Sequence, residues 1–213
     1  KMIKYYGISD SLIEFKDRNE QLAIVKRKKP KESDNFFQKI SQSSFSVNGH
    51  VSFDNSRDDI HNLLKNQISH LILNDPFYTK WIDDMSKICK IFCRFLGDEK
   101  ISFWAGSKRG CSRFHRDIVP YRLLVTYSGK GTEILPNHAA NLKAYNDGKP
   151  NGEIIKDISA IQHLRNWDIA IFRGCEEGIL HKTPDSALSR SSILMRLDNF
   201  TFLRDIQKFN EVA

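Results

Sequence analysis

From Ile101 onward the sequence contains short segments rich in β-branched and aromatic residues, and the pattern predicts no helical crossovers between them. Turn signals containing Gly and Asn separate the segments, as at positions 128–131 and 146–152, because these residues adopt the backbone conformations of tight turns. About eight such strands are typical of an antiparallel sandwich or a double-stranded β-helix, the jelly-roll and cupin architecture. The expected strands are ISFWA, SRFHRDI, YRLLVTY, TEILP, EIIKDI, DIAIFRG, GILHKT and RSSILMRLD.

The region before these strands carries helical signals. Apolar residues recur at helical spacing after Ser56, a pattern that predicts an amphipathic helix. A second helix is predicted from Asp75-Pro76 to a stop at Gly97, since Pro is tolerated at the first helical position and Gly commonly ends helices. We expect both helices to brace a sheet.

The first fifty-five residues give mixed signals. QLAIVKR predicts a short strand, and Asn48-Gly49 predicts a two-residue hairpin turn between two strands. The sequence as a whole therefore predicts an α+β fold in one compact unit. Residues 1–100 would form an N-terminal extension with supporting helices, and residues 101–213 would form a jelly-roll core that binds a metal.

Composition narrows the class of protein. With 213 residues, 40% of them hydrophobic and 14 of them Phe, the chain can fill a core without disulfides. Its four cysteines show no C-x-x-C spacing, which argues against a cysteine-rich zinc site. No uncharged apolar run approaches the ~20 residues of a membrane span, and the first residues lack the apolar stretch of a secretory signal. We expect a soluble, cytoplasmic protein.

The formal net charge of +7 is partly local, in the basic run Lys26, Arg27, Lys28 and Lys29. Such a run is usually a solvated loop. The alternative is a nucleic-acid contact, because clustered cations neutralise phosphates and release counterions. No aromatic residue interleaves with the run, which weakens the case for a platform on which single-stranded bases stack.

Two histidines and one aspartate in the strand-rich half can bind a metal. His115 and Asp117 alternate in one predicted strand, so their side chains share a face, and His181 lies in a later strand. Two His and one carboxylate form the facial triad that holds non-haem Fe(II) and leaves coordination positions open. Zn, Mn or Ni could take the place of iron on the same ligands.

These motifs resemble the Fe(II)- and 2-oxoglutarate-dependent oxygenase superfamily, with its His-x-Asp, distal His and basic residue on the following strand. Here the two histidines are 181 − 115 = 66 residues apart, and Arg190-x-Ser192 follows. CSRFHRDIVPYRLLVTYSGKGTEILP and WIDDMSKICKIFCRFLG are also similar to a bacterial family known as domain of unknown function 1826.

The oxygenase resemblance implies a role for each matching residue. His115, Asp117 and His181 would be the catalytic iron ligands, and Arg190 with Ser192 would bind the remote carboxylate of 2-oxoglutarate. Arg122 or Arg196 could replace Arg190 as the carboxylate partner, or could orient a metal ligand. The implied function is a dioxygenase acting on a substrate that the sequence does not identify.

Two other functions remain open at this point. A cupin-like metal-binding or metal-sensing protein would keep the metal ligands and would not decarboxylate 2-oxoglutarate. A nucleic-acid dealkylase is the third possibility, because Arg190 and Arg196 stand six residues apart, a spacing that resembles such enzymes. That function predicts salt-sensitive binding to nucleic acid through the basic run.

Overall fold

The N-terminal part of the chain contributes strands as well as helices. A computed structural model describes residues 2–7, 9–189, 191–202 and 204–206. Its first elements are β1 (Ile3–Tyr6), a 3₁₀ segment (Ser9–Asp17), β2 (Leu22–Val25), α1 (Ser33–Ile40) and β3 (Ser46–Ser52). β2 coincides with the strand predicted from QLAIVKR, and it is buried along its whole length.

Three helices come next: α2 (Ser56–Leu64), α3 (His70–Leu73) and α4 (Pro76–Leu96). The apolar pattern after Ser56 therefore covers two helices, because the chain turns between α2 and α3. The predicted ends of α4 are confirmed. The Asp75 carboxylate accepts a hydrogen bond from the backbone N–H of Phe77 at 2.8 Å, and Gly97 ends the helix with a φ of 75°.

The remaining elements are short strands, short helices and single turns of 3₁₀ helix. The strands are β4 (Lys100–Gly106), β5 (Tyr121–Ser128), β6 (Glu133–Leu135), β7 (Gln162–His163), β8 (Ile169–Arg173), β9 (Leu180–Lys182) and β10 (Ile193–Asn199). The helices are α5 (Leu142–Asn146), α6 (Asn151–Ile154) and α7 (Asp185–Ser189), with 3₁₀ turns at Asn137–Ala139, Ile158–Ala160 and Cys175–Glu177.

These strands form a large and a small sheet. The large sheet has seven strands in the order β1-β2-β8-β5-β10-β4-β3, and the small sheet has three in the order β7-β6-β9. Neighbouring strands pair antiparallel, apart from the parallel pair β1–β2. The predicted α+β fold is confirmed at this level, as a sheet-rich fold with several helices.

The large sheet separates two apolar cores. On one face, Leu123 and Ile171 pack in the cluster that contains Trp81 of α4. On the other face, Leu124 and Phe172 join the cluster that contains small-sheet residues and the segments beside them. Because successive strand residues point to opposite faces, β5 and β8 serve both cores at once.

The expected hairpin at Asn48-Gly49 is wrong. Both residues lie inside the single strand β3 and pair with Trp104 and Phe103 of β4. The glycine has a packing role instead, since a Cβ at position 49 would lie 2.7 Å from a methyl group of Leu63 in α2. Gly49 therefore allows α2 to approach the sheet closely.

Two of the eight expected strands are absent from the described residues. SRFHRDI is irregular and forms only an isolated bridge between His115 and His181. EIIKDI is divided between the end of α6 and a 3₁₀ turn, and β7 follows it. No helix of the described chain combines the length and the apolar character needed to cross a membrane.

Candidate metal centre

His115, Asp117 and His181 come together at the β9 edge of the small sheet. His115 and Asp117 lie in the segment that joins β4 to β5, and His181 is the middle residue of β9. The backbones of the two histidines exchange a pair of hydrogen bonds, each 3.0 Å long. This pairing fixes the two side chains next to each other, with ring centroids 4.6 Å apart.

The potential ligand atoms of the three residues all lie within 4.8 Å of one another. Nε2 of His181 is 3.3 Å from Oδ2 of Asp117, and Nε2 of His115 is 3.8 Å from Oδ1. The three residues can therefore hold a metal ion, as predicted from their spacing in the sequence.

Backbone contacts select the ring nitrogen that each histidine presents. Nδ1 of His115 lies 2.9 Å from the carbonyl oxygen of Arg113, and Nδ1 of His181 lies 3.0 Å from that of Ile179. A carbonyl only accepts hydrogen bonds, so each Nδ1 carries a proton and donates it. In the neutral rings Nε2 then carries the lone pair that a metal requires.

The Asp117 carboxylate is buried and has one free oxygen. Arg122 donates to Oδ1 from Nη1, whereas Oδ2 has no hydrogen-bond donor among the described residues. Burial would raise the pKa of Asp117, but His181 and Arg122 outweigh it and hold the pKa well below the usual value. The ionised Oδ2 thus lies 3.3 Å from Nε2 of His181. A metal ion could bind both atoms at once.

The pKa of His115 is lowered, first by burial and then by the nearby His181. Both causes favour the neutral imidazole, which is the form that coordinates metals. The donor set therefore suits a divalent cation in both charge and protonation state.

Arg122 and Arg196 lie close to the metal ligands and share one acidic partner. Arg122 donates from Nε to Oδ1 of Asp198 at 2.8 Å, in addition to its bond with Asp117. Nε of Arg196 lies 3.2 Å from Oδ2 of Asp198. Each arginine thus has a carboxylate of the protein beside it, and Arg122 holds the orientation of Asp117.

A cavity of about 140 Å³ opens beside the two histidines. Its lining includes Arg109 and Thr132, as well as Arg122 and Arg196. Pockets for drug-sized ligands are usually larger, at roughly 300–1,000 Å³. The space therefore suits a small polar molecule.

The predicted carboxylate clamp is described only in part. Arg190 lies outside the described residues. Ser192 is fully buried, and its hydroxyl accepts a hydrogen bond of 2.7 Å from Nη1 of Arg109. Arg109 was not among the residues selected from the sequence, because it belongs to no motif and only its enclosure reveals it.

Two cations of the basic run have acidic partners within the protein. Arg27 donates to both carboxylate oxygens of Asp84 in α4, and Lys29 forms an ion pair with Asp34 at 2.9 Å. Lys26 and Lys28 are exposed. The run is therefore not a uniform patch of free positive charge.

The chain was compared with known proteins. No curated protein sequence matches it. Among solved structures, a protein of Shewanella oneidensis that is provisionally named an oxygenase is 12% identical, with a TM-score of 0.38. The match covers 92% of this chain and 89% of that one. A TM-score below 0.5 supports no conclusion about activity.

A protein-family comparison is more informative than these individual matches. The family described as "Protein of unknown function (DUF1826)" matches residues 9–198. This range includes the strands from β2 onward, the helices among them and all three potential metal ligands. The chain therefore belongs to the DUF1826 family.

Proposed function

We propose that this protein is an Fe(II)- and 2-oxoglutarate-dependent dioxygenase. The observation that carries the proposal is the convergence of two imidazole Nε2 atoms and one buried carboxylate oxygen beside a small cavity. Two His and one carboxylate with open positions are the protein ligands of non-haem Fe(II) oxygenases. The substrate to be oxidised is left open by this proposal.

The strand order supports a double-stranded β-helix for the core. From β5 to β10 the chain passes from the large sheet to the small one, back to the large, again to the small, and finally to the large. His115 pairs with β9 at the outer edge of the small sheet and extends it by one bridge. Two facing sheets visited in turn are what a jelly roll requires, with the metal ligands between them.

Each residue of the centre has a distinct task in this proposal. His115, His181 and Asp117 would hold the iron, and Arg122 keeps Asp117 ionised and correctly rotated. Bound iron would supply the activation of dioxygen that is coupled to decarboxylation of the 2-oxo acid. The cavity beside the two histidines would hold the 2-oxo acid next to the metal.

The first experiment measures 2-oxoglutarate consumption and succinate formation. Protein loaded anaerobically with Fe(II) is exposed to oxygen, and both compounds are quantified over time. We expect succinate to form slowly even without a substrate, in an iron-dependent manner. The His115→Ala variant should lose bound iron and turnover, whereas His138→Ala, which changes an exposed histidine, should retain both.

The opposite result would support a different class of protein. If metal-loaded protein forms no succinate, and calorimetry detects no binding of 2-oxoglutarate, the dioxygenase proposal is overturned. A metal-binding or metal-sensing protein without turnover would then be the better explanation. If His115→Ala or Asp117→Ala left the metal content unchanged, the metal centre itself would be wrongly placed.

A further inference from the structure

The Arg109 guanidinium is enclosed at the cavity beside the metal centre. Nη1 donates to the Ser192 hydroxyl at 2.7 Å, and Nη2 lies 3.4 Å from the Thr132 hydroxyl. Both hydroxyl groups belong to buried residues. Burial lowers the pKa of Arg109 to about 10, and no acidic side chain counteracts this effect.

The other enclosed cations at this cavity have carboxylate partners. Arg122 contacts Asp117 and Asp198, and Arg196 is beside Asp198. The ammonium group of Lys182 lies 3.2 Å from Glu133 and 3.0 Å from Asp185. For Arg109, no carboxylate of the described chain lies within the 4.0 Å that defines an ion pair. An enclosed positive charge without a partner is costly to maintain, and an anionic ligand would provide the missing partner.

We infer that Arg109 binds the remote carboxylate of the 2-oxo acid whose other end the metal holds. This inference rests on the proposed function for the identity of the ligand. It places the anchoring arginine in the segment that follows β4, far from His181 and Ser192 in the sequence.

The surroundings of Arg109 match the chemistry of a carboxylate. A guanidinium presents several N–H groups in a planar fork, which can bind two carboxylate oxygens at once. The Ser192 hydroxyl accepts a hydrogen bond from Arg109 and fixes the orientation of the guanidinium from behind the cavity. The Thr132 hydroxyl, which lines the cavity, accepts from Arg109 and keeps its own proton for donation to the ligand. In this inference Arg109 makes the contact with the carboxylate, and Ser192 positions Arg109.

A pair of ligands isolates the contribution of the remote carboxylate. 2-Oxoglutarate and 2-oxopentanoate share the 2-oxo acid group and the chain length, but 2-oxopentanoate carries a methyl group in place of the remote carboxylate. We would measure the Kd of each ligand by anaerobic calorimetry with Fe(II)-loaded protein. The wild type should bind 2-oxoglutarate roughly 10- to 100-fold more tightly, as expected for a charge-assisted contact.

The Arg109→Gln variant should lose this preference and retain its affinity for 2-oxopentanoate. Arg109→Lys, which keeps the charge and loses the fork, should retain part of the preference. Arg165→Gln is the matched control, because Arg165 is largely exposed, pairs with Asp168 and does not line the cavity. Iron content and thermal unfolding of each variant establish that the fold and the metal centre are intact.

The outcomes separate this inference from the proposed function. If the wild type binds 2-oxoglutarate selectively and Arg109→Gln is equally selective, the inference alone is overturned. Loss of selectivity in Arg190→Gln, with selectivity retained in Arg109→Gln, would assign the carboxylate to Arg190 instead. If the iron-loaded wild type binds neither 2-oxo acid, both the proposed function and the inference are overturned.

Discussion

Arg122 donates a hydrogen bond from Nη1 to Oδ1 of Asp117, and Oδ2 of the same carboxylate has no donor among the described residues. The two oxygens are therefore not equivalent. One holds the side chain in place, and the other faces His181 across 3.3 Å. A metal ion would thus meet a carboxylate whose rotation is already restricted, which reduces the entropy lost on binding.

The first prediction concerns this orienting contact. The Arg122→Gln variant should bind Fe(II) roughly 10- to 100-fold more weakly, the range that is typical for loss of a group that orients a ligand. Competition with a chelator of known affinity measures the change. Arg57→Gln is the control, since Arg57 and Asp83 form an exposed ion pair, and such pairs contribute little to stability.

Removal of Arg122 also leaves Asp198 without its main partner. The double variant Arg122→Gln/Asp198→Asn also removes the buried charge of Asp198. It therefore tests the role of Arg122 even if the single variant does not fold. Wild-type iron affinity in a folded double variant would show that Arg122 does not orient Asp117.

The second prediction concerns Gly174, which follows β8 and lies against the backbone beside the metal ligands. A Cβ at this position would lie 1.8 Å from the carbonyl oxygen of Val119 and 2.9 Å from that of Asp117. Because the obstacles are backbone atoms, the segment must move. Gly174→Ala should lower the free energy of unfolding by about 1–3 kcal/mol and weaken iron binding, as measured by urea denaturation and metal titration.

Gly152→Ala is the comparison for this variant. Gly152 lies in α6, and a Cβ there would meet no atom within 4 Å. Alanine is the better helix former, so stability should be unchanged or rise by about 0.5–1 kcal/mol. Equal effects of the two substitutions would contradict the close approach at Gly174.

The third prediction concerns the basic run. Arg27 donates to Asp84 at 2.6 Å and to the carbonyl of Trp167 at 2.6 Å, and Tyr127 donates to the same carboxylate at 2.8 Å. Arg27→Met should therefore destabilise the protein by about 3–5 kcal/mol, because it leaves the enclosed Asp84 charge without a cation. Chemical denaturation measures the loss. Lys28→Ala, which changes an exposed side chain, should stay within about 0.5 kcal/mol of the wild type.

A second variant tests the cause of that loss. Arg27→Met/Asp84→Leu removes both charges and should recover part of the stability, since the two effects are coupled. If the loss of unfolding free energy in the double variant equals the sum of the losses in Arg27→Met and Asp84→Leu, the ion pair is not the source of the effect.

The fourth prediction concerns the cysteines. Cys89 and Cys93 are buried in α4, whereas Cys111 and Cys175 are exposed. Burial raises the pKa of Cys93 to about 11 and that of Cys89 well above its usual value. Since the thiolate is the reactive form, a disulfide reagent at pH 8 should label two thiols rapidly in the native protein and all four after unfolding.

The pH dependence of this labelling follows from the same pKa values. Cys93 ionises near pH 8.5 in an unfolded chain and near 11 in the fold, so it stays protonated and unreactive as the pH rises through 9. The same difference lowers the stability of the native state as the pH rises from about 8.5 towards 11, because the unfolded state releases its proton first. Rapid labelling of three or more thiols at pH 8 would contradict the burial of these side chains.

The sequence was sufficient to predict that His115, Asp117 and His181 come together, and it predicted most of the strands around them. Period-2 alternation placed His115 and Asp117 on one face, and they converge even though their segment is irregular. The distant His181 joins them because β9 pairs with His115. Local sequence patterns fail where tertiary packing determines the residue type. At position 49 a glycine is needed because Leu63 packs against the strand, and the Asn-Gly pair only resembled a hairpin turn.

Arg109 illustrates a different limit of sequence analysis. Arg109 lies in the segment between β4 and the His115-Arg116-Asp117 motif, and an arginine in such a connecting segment is usually exposed to solvent. Three features single it out in the fold. It is enclosed, it contacts the hydroxyl groups of Ser192 and Thr132, which are distant in the sequence, and the nearby carboxylates pair with other cations. Each of these is a property of three-dimensional proximity, so no local sequence pattern predicts it.

The strands of the N-terminal region lie on both sides of the core strands. β2 covers β8 on one side, and β3 covers β4 on the other. A fragment that began at residue 100 would expose two bare strand edges, and such edges recruit other chains into aggregates. The segment before residue 100 thus protects the edges of the large sheet, and N-terminal truncation to that point should yield insoluble protein.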